Sequence, residues 1–487
     1  MWDNCSARCS CADTDMSANT WAERHPADDL EPLNAILYGD EGDEDEEISY
    51  RGYDGRRRKA AAILILLWGG IIALNSVTWG SWAVLGLSLP VGVRLVRLLF
   101  ATPVAPPDPQ VLETAEELPF VSLVVAAKNE ETTIARVVKL LCDLDYPRSH
   151  YEVCVVNDAS TDSTPKILDN LARQHDNLTI LHRQPGAGGG KSGALNAALK
   201  VTRGDIIAVF DADASVDRDL LRRVLPTFTR PEVGAVQIRK TISNAEENFW
   251  TRGQAAEMAM DLYIQQQRVA AGGVGELRGN GQFVRRLALD RCGGFNEETI
   301  TDDLDLSFRL HLDRWQIEML ASPPVFEEGV TDFVSLWHQR SRWAEGGYQR
   351  YLDYWRLFAS NRMGLRKSWD ALTFFAIQYL MPATAVPELA VALVRRQLPL
   401  FSPVVFLTLA MTFAYMVGGI WRSRRYEAKR SIWEMFQQSV LGMVYFMHWF
   451  VVIVATTARI AVLPKRLKWV KTVHRGDGCN ASTNGAD

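Results

Sequence analysis

The chain has 487 residues, enough for one large domain or two ordinary ones with additional segments. Its hydrophobic content is 47% and its mean hydropathy is near zero, which indicates that apolar membrane segments and polar soluble segments alternate along the chain and average out. The net charge of −5 is uneven, because residues 1–50 carry 14 acidic and 2 basic side chains and the remainder is therefore positive. A positive remainder suits an anionic ligand or an anionic lipid surface.

The first segment, residues 1–55, is predicted to be a disordered acidic tail, since the run GDEGDEDEE at 39–47 is typical of solvated chain. Cys5, Cys9 and Cys11 lie there without a nearby histidine, so incidental thiols are favoured over a zinc site. Cys142 and Cys154, with Cys292, fall in apolar patterns and are predicted to be core residues. Such cysteine usage indicates a reducing compartment.

Residues 60–93 contain no charged side chain, which is too long for one span. The run GRRRK precedes them, Arg94 and Arg97 follow, and Trp79 and Trp82 lie in the middle. We therefore predict a transmembrane helical hairpin over residues 60–100, with both basic ends cytoplasmic and the tryptophans at the far interface.

Residues 118–335 alternate short β-rich runs with polar, helix-like stretches. The predicted strands are VSLVVAA (121–127), YEVCVVN (151–157), TILHR (179–183), DIIAVFD (205–211) and VGAVQIR (233–239). This alternation predicts an α/β fold with a parallel sheet, and ligands of such sheets bind at the carboxyl ends of the strands. The residues that follow each strand are therefore the candidates for chemistry.

Asp211 and Asp213 follow the fourth strand, two positions apart, so both carboxylates can face the same way. Such a pair, together with a substrate diphosphate, can hold Mg²⁺ or Mn²⁺, because these ions need few protein ligands. The alternative is a polar turn stabilised by local hydrogen bonds of the aspartates.

Two loops suggest nucleotide binding. Asp158, after the second strand, could bond a uracil or ribose edge, or it could belong to a turn before a capped helix. The glycine-rich GAGGGKSGALN (186–196) is not a Walker motif, because Pro185 occupies the position of a required glycine. Lys191 could nevertheless reach a phosphate, and the alternative is a plain flexible loop.

The sequence TDDLDLSFRLHL (301–312) places three aspartates at the start of an apolar-periodic helix. One interpretation is purely structural, with Thr301 as the cap and the acids favoured by the helix dipole. The other is catalytic, because a carboxylate at the edge of a cleft can accept the proton of an acceptor hydroxyl during sugar transfer.

Beyond this domain, WHQRSRWAEGGYQRYLDYW (337–355) combines arginines, which recognise phosphate, with aromatic platforms. Residues 336–368 are predicted to form amphipathic helices at the membrane interface. Residues 369–462 contain apolar stretches at 371–394, 398–421 and 435–458, which predict two or three spans, with the Pro382/Pro387 stretch re-entrant or interfacial. A basic tail follows at 463–487.

KNEE, NDAS-TD, GGGKSGALN, DADA, TDD and QRSRW, in this order, resemble a membrane-bound glycosyltransferase of family 2, the group of cellulose, chitin and hyaluronan synthases. The resemblance implies a GT-A catalytic domain inserted between transmembrane helices. NAEENFW, GELRGNGQFVRR and the closing PKRLKWVKTVH are similar to members of the family that glucosylate diacylglycerol. Two departures are TDD, where the polymer synthases usually have TED, and Ala127, where they often have a hydroxyl.

Carried over residue by residue, the resemblance implies a role for each motif. It assigns the general base to Asp303, the metal to Asp211 and Asp213, and substrate binding to Glu130, Asp158, Lys191, Asp211, Gln339, Arg342 and Trp343. In this assignment Glu130 and Asp158 hold the uridine, and Lys191 and Arg342 hold the diphosphate.

The implied reaction is inverting transfer of glucose from UDP-glucose to the 3-hydroxyl of 1,2-diacylglycerol, with Mg²⁺ or Mn²⁺ as cofactor. The expected partners are UDP-glucose, diacylglycerol and membrane lipids, without nucleic acid or an obligate protein partner. We expect a multi-pass membrane protein with a cytoplasmic catalytic domain. The alternatives are a processive polysaccharide synthase, which needs a channel with polar and aromatic lining, and a non-catalytic sugar-nucleotide sensor.

Overall fold

The computed structural model describes residues 30–38, 55–103, 105, 118–426 and 431–463. An α/β domain, which we call the catalytic domain after the expectation from the sequence, is built around one eight-stranded sheet. Its strands are β1 (Val121–Ala127), β2 (Tyr151–Asp158), β3 (Leu178–Arg183), β4 (Ile206–Phe210), β5 (Ser215–Val216), β6 (Val233–Ile242), β7 (Gln282–Arg285) and β8 (Gln316–Glu327). Its helices are α4 (Ile134–Cys142), α5 (Thr164–Ala172), α6 (Gly190–Leu199), α7 (Leu220–Val224), α8 (Phe249–Ala270), α9 (Arg286–Arg291) and α10 (Asp302–Leu312).

The strand order is β3-β2-β1-β4-β7-β6-β8-β5. All five predicted strands are present, and β3, β2, β1 and β4 are parallel. The other half of the sheet is mixed, because β7 runs antiparallel to β4 and β6 and β5 runs antiparallel to β8, whereas β6 and β8 are parallel to each other as predicted. The four residues of β7, QFVR, are too short a run to stand out in the sequence, although all four side chains are buried.

Each face of the sheet carries its own apolar layer, as the two-residue period of a strand requires. In β1, Leu123 and Val125 pack against α4 and α5, whereas Val124 packs on the side of α6 and α10. Cys142 and Cys154 are buried core residues, as predicted, and so is Cys292. Burial raises the pKa of the Cys142 and Cys154 thiols to about 12, so both remain protonated.

The N-terminal segment differs in part from the predicted disordered tail. Residues Leu33–Tyr38 form helix α1, with Leu33 and Leu37 buried against the catalytic domain. Asn34 donates to the carbonyl of Asp290 at 3.1 Å, which fixes α1 on α9. The amphipathic pattern of LNAILY explains this docking. The acidic run at 39–47 and Cys5, Cys9 and Cys11 lie outside the described residues.

Apolar helices flank the catalytic domain on both sides in the sequence. They are α2 (Arg56–Ser76), α3 (Gly80–Leu99), α13 (Leu365–Phe375), α14 (Met381–Arg395), α15 (Ser402–Ser423), α16 (Ile432–Phe446) and α17 (His448–Val462). A π-helical turn joins α13 to α14, and α16 continues almost directly into α17. In the described part of the chain, five helices are therefore long and apolar enough to cross a membrane.

The ends of these helices reveal their direction. At the start of α2, Arg56 forms an ion pair with Asp353. At the other end of α2, the carbonyl of Asn75 accepts a hydrogen bond from Arg395, the last residue of α14. Helix α13–α14 therefore runs alongside α2 to its far end despite Pro382 and Pro387, and it is long and apolar enough to cross a membrane.

The α16–α17 helix packs on both groups of elements, since α16 lies against α8 and α15, and α17 lies against α2 and against the helix that contains Glu345. Gln438 donates to the carbonyl of Arg252 on α8 at 3.2 Å, and the Tyr445 hydroxyl donates to Glu257 on α8 at 3.1 Å. Near its other end, Arg459 pairs with Glu345. Both halves of this apolar helix thus lie against elements of the catalytic side.

Candidate active site

A cavity of about 220 Å³ opens where the parallel strands end, between α6, α10 and a long helix, α11 (Phe333–Asp353). The short helix α12 (Trp355–Ala359) follows α11. All the predicted site residues line the cavity: Glu130, Asp158, Lys191, Asp211, Asp213, Asp303, Gln339, Arg342 and Trp343. The sheet explains this convergence, because β1, β2 and β4 are adjacent and parallel and their carboxyl ends meet at one edge.

The β1 and β2 ends form one wall of this pocket. Asp158 accepts from Arg183 Nη1 at 2.7 Å and lies 3.6 Å from Lys128 Nζ, so its carboxylate is held between two cations. Glu130 is buried, and its carboxylate accepts from the Thr133 hydroxyl at 3.3 Å. These oriented acceptors are suited to the N–H and hydroxyl groups of a nucleoside.

Lys191 lies in the first turn of α6, and Gly189 before it has the left-handed backbone (φ 67°) that glycine tolerates. Its Nζ lies 2.7 Å from Asp211 Oδ1. Burial alone would lower the pKa of Lys191, but Asp211, Asp302 and Asp303 together raise it above the ordinary value. Lys191 is therefore a permanent cation at a helix N-terminus, a position that favours phosphate.

Asp213 is buried after β4, and its Oδ2 accepts from the backbone N–H of Glu328 at 3.3 Å. With Asp211 it offers carboxylate oxygens, the donors preferred by Mg²⁺ and Mn²⁺. Among the described residues no group of three or more metal-ligating side chains occurs. A carboxylate pair fits such an ion, because a substrate diphosphate and water can supply the remaining ligands.

Asp302 and Asp303 begin α10, as the sequence predicted. Asp303 Oδ1 accepts from the N–H of Leu304 at 2.8 Å. Burial, and next the charge of Asp302, raise the pKa of Asp303 to about 6. Asp302 Oδ2 and the Thr301 hydroxyl are buried without a hydrogen-bond partner among the described residues. A carboxylate with such a pKa can accept a proton near neutral pH.

A loop that sequence reasoning did not assign covers these carboxylates. Gly279 has φ +79°, and a Cβ there would lie 3.3 Å from Asp303 Oδ2 and 3.9 Å from Lys191 Nζ. The backbone can approach the carboxylate this closely because glycine has no side chain. Further unassigned residues that line the pocket are Lys240, Arg278, Glu327 and Glu328. The sequence feature that could have indicated this loop is the run GELRGNGQF, in which charged residues and glycines lie between apolar stretches.

Helix α11 supplies the remaining wall. The Arg340 guanidinium lies 4.0 Å from the Trp343 ring, and Lys240 Nζ lies 5.7 Å from it. Arg340 donates to Gln339 Oε1 at 3.0 Å and to Glu257 of α8 at 2.5 Å. Arg340 is fully buried, and the sequence analysis did not assign it. Its role is to hold Trp343 and Gln339 in place.

The second half of α11 is buried on all sides, which differs from the expected amphipathic surface helix. A Cβ on Gly346 would collide with Thr301 Oγ1, and one on Gly347 would collide with the Tyr379 hydroxyl. These glycines allow α11 to pack directly between the start of α10 and the α13–α14 helix. The helix therefore lies between the pocket and the apolar region, with Thr301 packed on one glycine and Tyr379 on the other.

Comparison with solved structures defines the class of the protein. A mannosyltransferase from Pyrobaculum calidifontis, solved with GDP-Man and Mn²⁺, has a TM-score of 0.50 and 24% identity and covers 73% of this chain and 99% of its own. This likeness concerns the fold. Residues 122–293 match the model for "Glycosyl transferase family 2". The catalytic domain thus has a GT-A-like α/β fold, and the protein is a glycosyltransferase.

Two relatives extend this match over nearly the whole chain. The beta-monoglucosyldiacylglycerol synthase of Nostoc sp. is 52% identical over 472 residues, 95% of this chain and 100% of the relative. The synthase of the same name from Synechocystis sp. is 50% identical over 457 residues, 92% of this chain and 95% of the relative. The chain belongs to glycosyltransferase family 2, together with these synthases.

Proposed function

We propose that this protein transfers glucose from UDP-glucose to the 3-hydroxyl of 1,2-diacylglycerol, giving β-monoglucosyldiacylglycerol. The observation that carries the proposal is the position of the carboxylate pocket, which α11 joins directly to the apolar helices. A pocket placed there can receive a soluble nucleotide sugar from one side and a lipid hydroxyl from the other. The names of the Nostoc and Synechocystis relatives support the same acceptor.

In the proposed reaction, the acceptor oxygen attacks the anomeric carbon as the bond to the diphosphate breaks on the opposite face. Asp303 takes the hydroxyl proton, and UDP leaves with the bonding electrons. Glu130 and Asp158 hold the nucleoside, and Lys191 and Arg342 neutralise the departing diphosphate. Asp211 and Asp213 would hold a divalent cation, Mg²⁺ or Mn²⁺, which contributes positive charge at the leaving group. The Mn²⁺ of the Pyrobaculum structure supports this choice of cofactor.

The helix contacts support a multi-pass arrangement with the catalytic domain in the cytoplasm. In this proposal α2, α3, α13–α14 and α15 cross the bilayer, and α16–α17 lies along the cytoplasmic interface. The basic segment at 463–487 would then stay cytoplasmic, in agreement with the positive-inside rule. Accessibility of single cysteines introduced at positions 396 and 463 would test this, since only position 463 should react from the cytoplasmic side.

The space among the apolar helices is small for polymer extrusion. A cavity of about 130 Å³ lies between α3, α8, α13–α14, α15 and α17, and its lining mixes aliphatic and aromatic side chains with Arg94, Arg268 and Gln378. A polysaccharide channel needs a continuous path across the membrane, which a cavity of this size does not supply.

Labelled UDP-glucose supplied to membranes containing the protein, with added diacylglycerol, tests the proposal. An organic-soluble labelled glycolipid is the expected product. An insoluble polymer would instead support a polysaccharide synthase, and the absence of any labelled product would support a sensor. Membranes from cells with an empty vector provide the background.

A further inference from the structure

A second cavity, of about 610 Å³, lies beside the active site and is much larger than it. It is enclosed by α8, the carboxyl end of β6, the residues after α3 and the end of α15. Its cationic lining residues are Arg239, Lys240, Arg422 and Arg425. No aspartate or glutamate is present among the described residues that line it. We refer to it as the basic cavity.

The basic cavity lies at the level where two membrane-spanning candidates end. The Tyr263 hydroxyl donates to the carbonyl of Leu99, the last residue of α3, at 3.1 Å. Arg422, in the last turn of α15, donates to Gln267 Oε1 at 3.1 Å. Tyr263 and Gln267 belong to α8, so α8 binds the ends of both helices. This level is where lipid headgroups lie.

The walls of the basic cavity differ in chemistry. One wall consists of small and apolar residues on one face of α8, Ala255, Ala259 and Leu262, with Gly419 and Ile420 from α15. Arg422 adds a cation at the edge of this apolar wall, since it follows Ile420 in α15 and its guanidinium lies 4.4 Å from the Tyr263 ring of α8. Arg239 and Lys240 come from β6, and Lys240 is paired with Glu327 at 2.8 Å. Arg425 makes no ion pair with a described residue. Apolar surface beside clustered cations is complementary to an anionic amphiphile.

We propose that the basic cavity binds the headgroup of an anionic glycerolipid, with its phosphate between Arg422 and Arg425 and an acyl chain along α8. A lipid is favoured over a free anion because the cavity adjoins the span ends and half of its lining is apolar. The site is distinct from the pocket that binds sugar nucleotide, and Lys240 lies between the two. The proposal does not rest on the proposed reaction, since lipid binding is measured without UDP-glucose.

The test uses the full-length protein in nanodiscs of phosphatidylcholine containing increasing phosphatidylglycerol, followed by exchange into neutral detergent and quantification of retained lipid. We expect wild type to retain phosphatidylglycerol saturably and Arg422→Gln/Arg425→Gln to retain about tenfold less. Arg97→Gln is the matched control, because Arg97 is an exposed cation in the last turn of α3 that does not line the cavity.

A second variant, Ala255→Phe, obstructs the apolar wall and leaves every charge in place. Reduced retention in this variant, with unfolding temperature and UDP binding unchanged, would support a lipid site. Equal retention by the double arginine variant and Arg97→Gln would overturn the proposal. Displacement of the lipid by inorganic phosphate at equal concentration would overturn it as well, because the cavity would then be a site for a free anion.

Discussion

The active-site pocket contains two pairs of aspartates, and the two pairs lie in different electrostatic environments. At the end of β4, Asp211 is paired with Lys191 at 2.7 Å and Asp213 accepts a backbone N–H. At the start of α10, Asp303 is buried beside Asp302, and its pKa is raised to about 6. In the strand-end pair the Lys191 cation lies against Asp211, whereas in the helix-start pair burial and the neighbouring carboxylate raise the pKa of Asp303, which favours uptake of a proton.

This difference separates two tasks that one carboxylate cannot perform together. A metal ligand must remain ionised throughout the reaction, while a general base must change its protonation state during it. The sheet and the helix impose these two environments on chemically identical side chains. Four predictions test the distinction.

Removing the base should have the largest effect. Asp303→Asn keeps the shape of the side chain and abolishes proton acceptance, so we expect kcat to fall about a thousandfold. UDP binding should be retained, because Asp303 is not assigned to the nucleotide. Asp302→Asn should lose much less activity. Glucosylation by Asp303→Asn at nearly the wild-type rate would refute the base assignment.

Removal of the Asp213 carboxylate should cause the second-largest loss of activity. Asp213→Asn, or chelation of divalent ions, should lower activity about a hundredfold, as is typical when one group that stabilises developing charge is lost. Added Mn²⁺ or Mg²⁺ should restore the chelated wild type but not the variant. Asp217→Asn, an exposed aspartate just after β5, is the control and should match wild type. Full activity in chelator would contradict the metal proposal.

The two pairs should also differ in their dependence on pH. The proposed base must be ionised to act, and the pKa of Asp303 is raised to about 6, so kcat/KM should rise with pH through about 6 and fall about tenfold for each unit below it. Asp302→Asn removes the neighbouring negative charge, so the midpoint should move to lower pH. A midpoint that stays in place in this variant would show that Asp302 does not influence the base.

The smallest effect concerns the loop over Asp303. Gly279→Ala should lower activity several-fold, because its Cβ would crowd Asp303 Oδ2. The left-handed backbone should also reduce the free energy of unfolding by about 1 kcal/mol. Gly186→Ala is the matched control, since Gly186 has φ +84° but open space around it. Both variants should be destabilised, and only Gly279→Ala should lose activity.

Much of the site could be predicted because it depends on local order in the sequence. A β-rich run followed by charged residues places Asp158 and Asp211 at the carboxyl edge of a parallel sheet, whatever the remaining fold. Thr301 and the acids after it likewise predict a helix start. Strands β1 to β4, strand β6 and the buried cysteines followed from apolar patterns in the same way.

The features that were missed depend on contacts between distant segments. Arg340 resembles any surface arginine of a polar helix until Glu257, 83 residues earlier, is packed beside it. The antiparallel β7 is too short to show a period. The contacts of α16–α17 with α8 and α11 cannot be read from its hydropathy either, because a crossing helix and one lying at the interface are equally apolar over this length.

The paired glycines of α11 have an energetic consequence for the lipid. They place the start of α10, with its carboxylates, one helix away from the α13–α14 helix, and an α-helix with its side chains is about 10 Å in diameter. A glycerol hydroxyl therefore needs to rise only a short distance while its fatty chains remain in the bilayer. Drawing those chains into water would cost about 0.8 kcal/mol for every methylene exposed, and this geometry makes such extraction unnecessary.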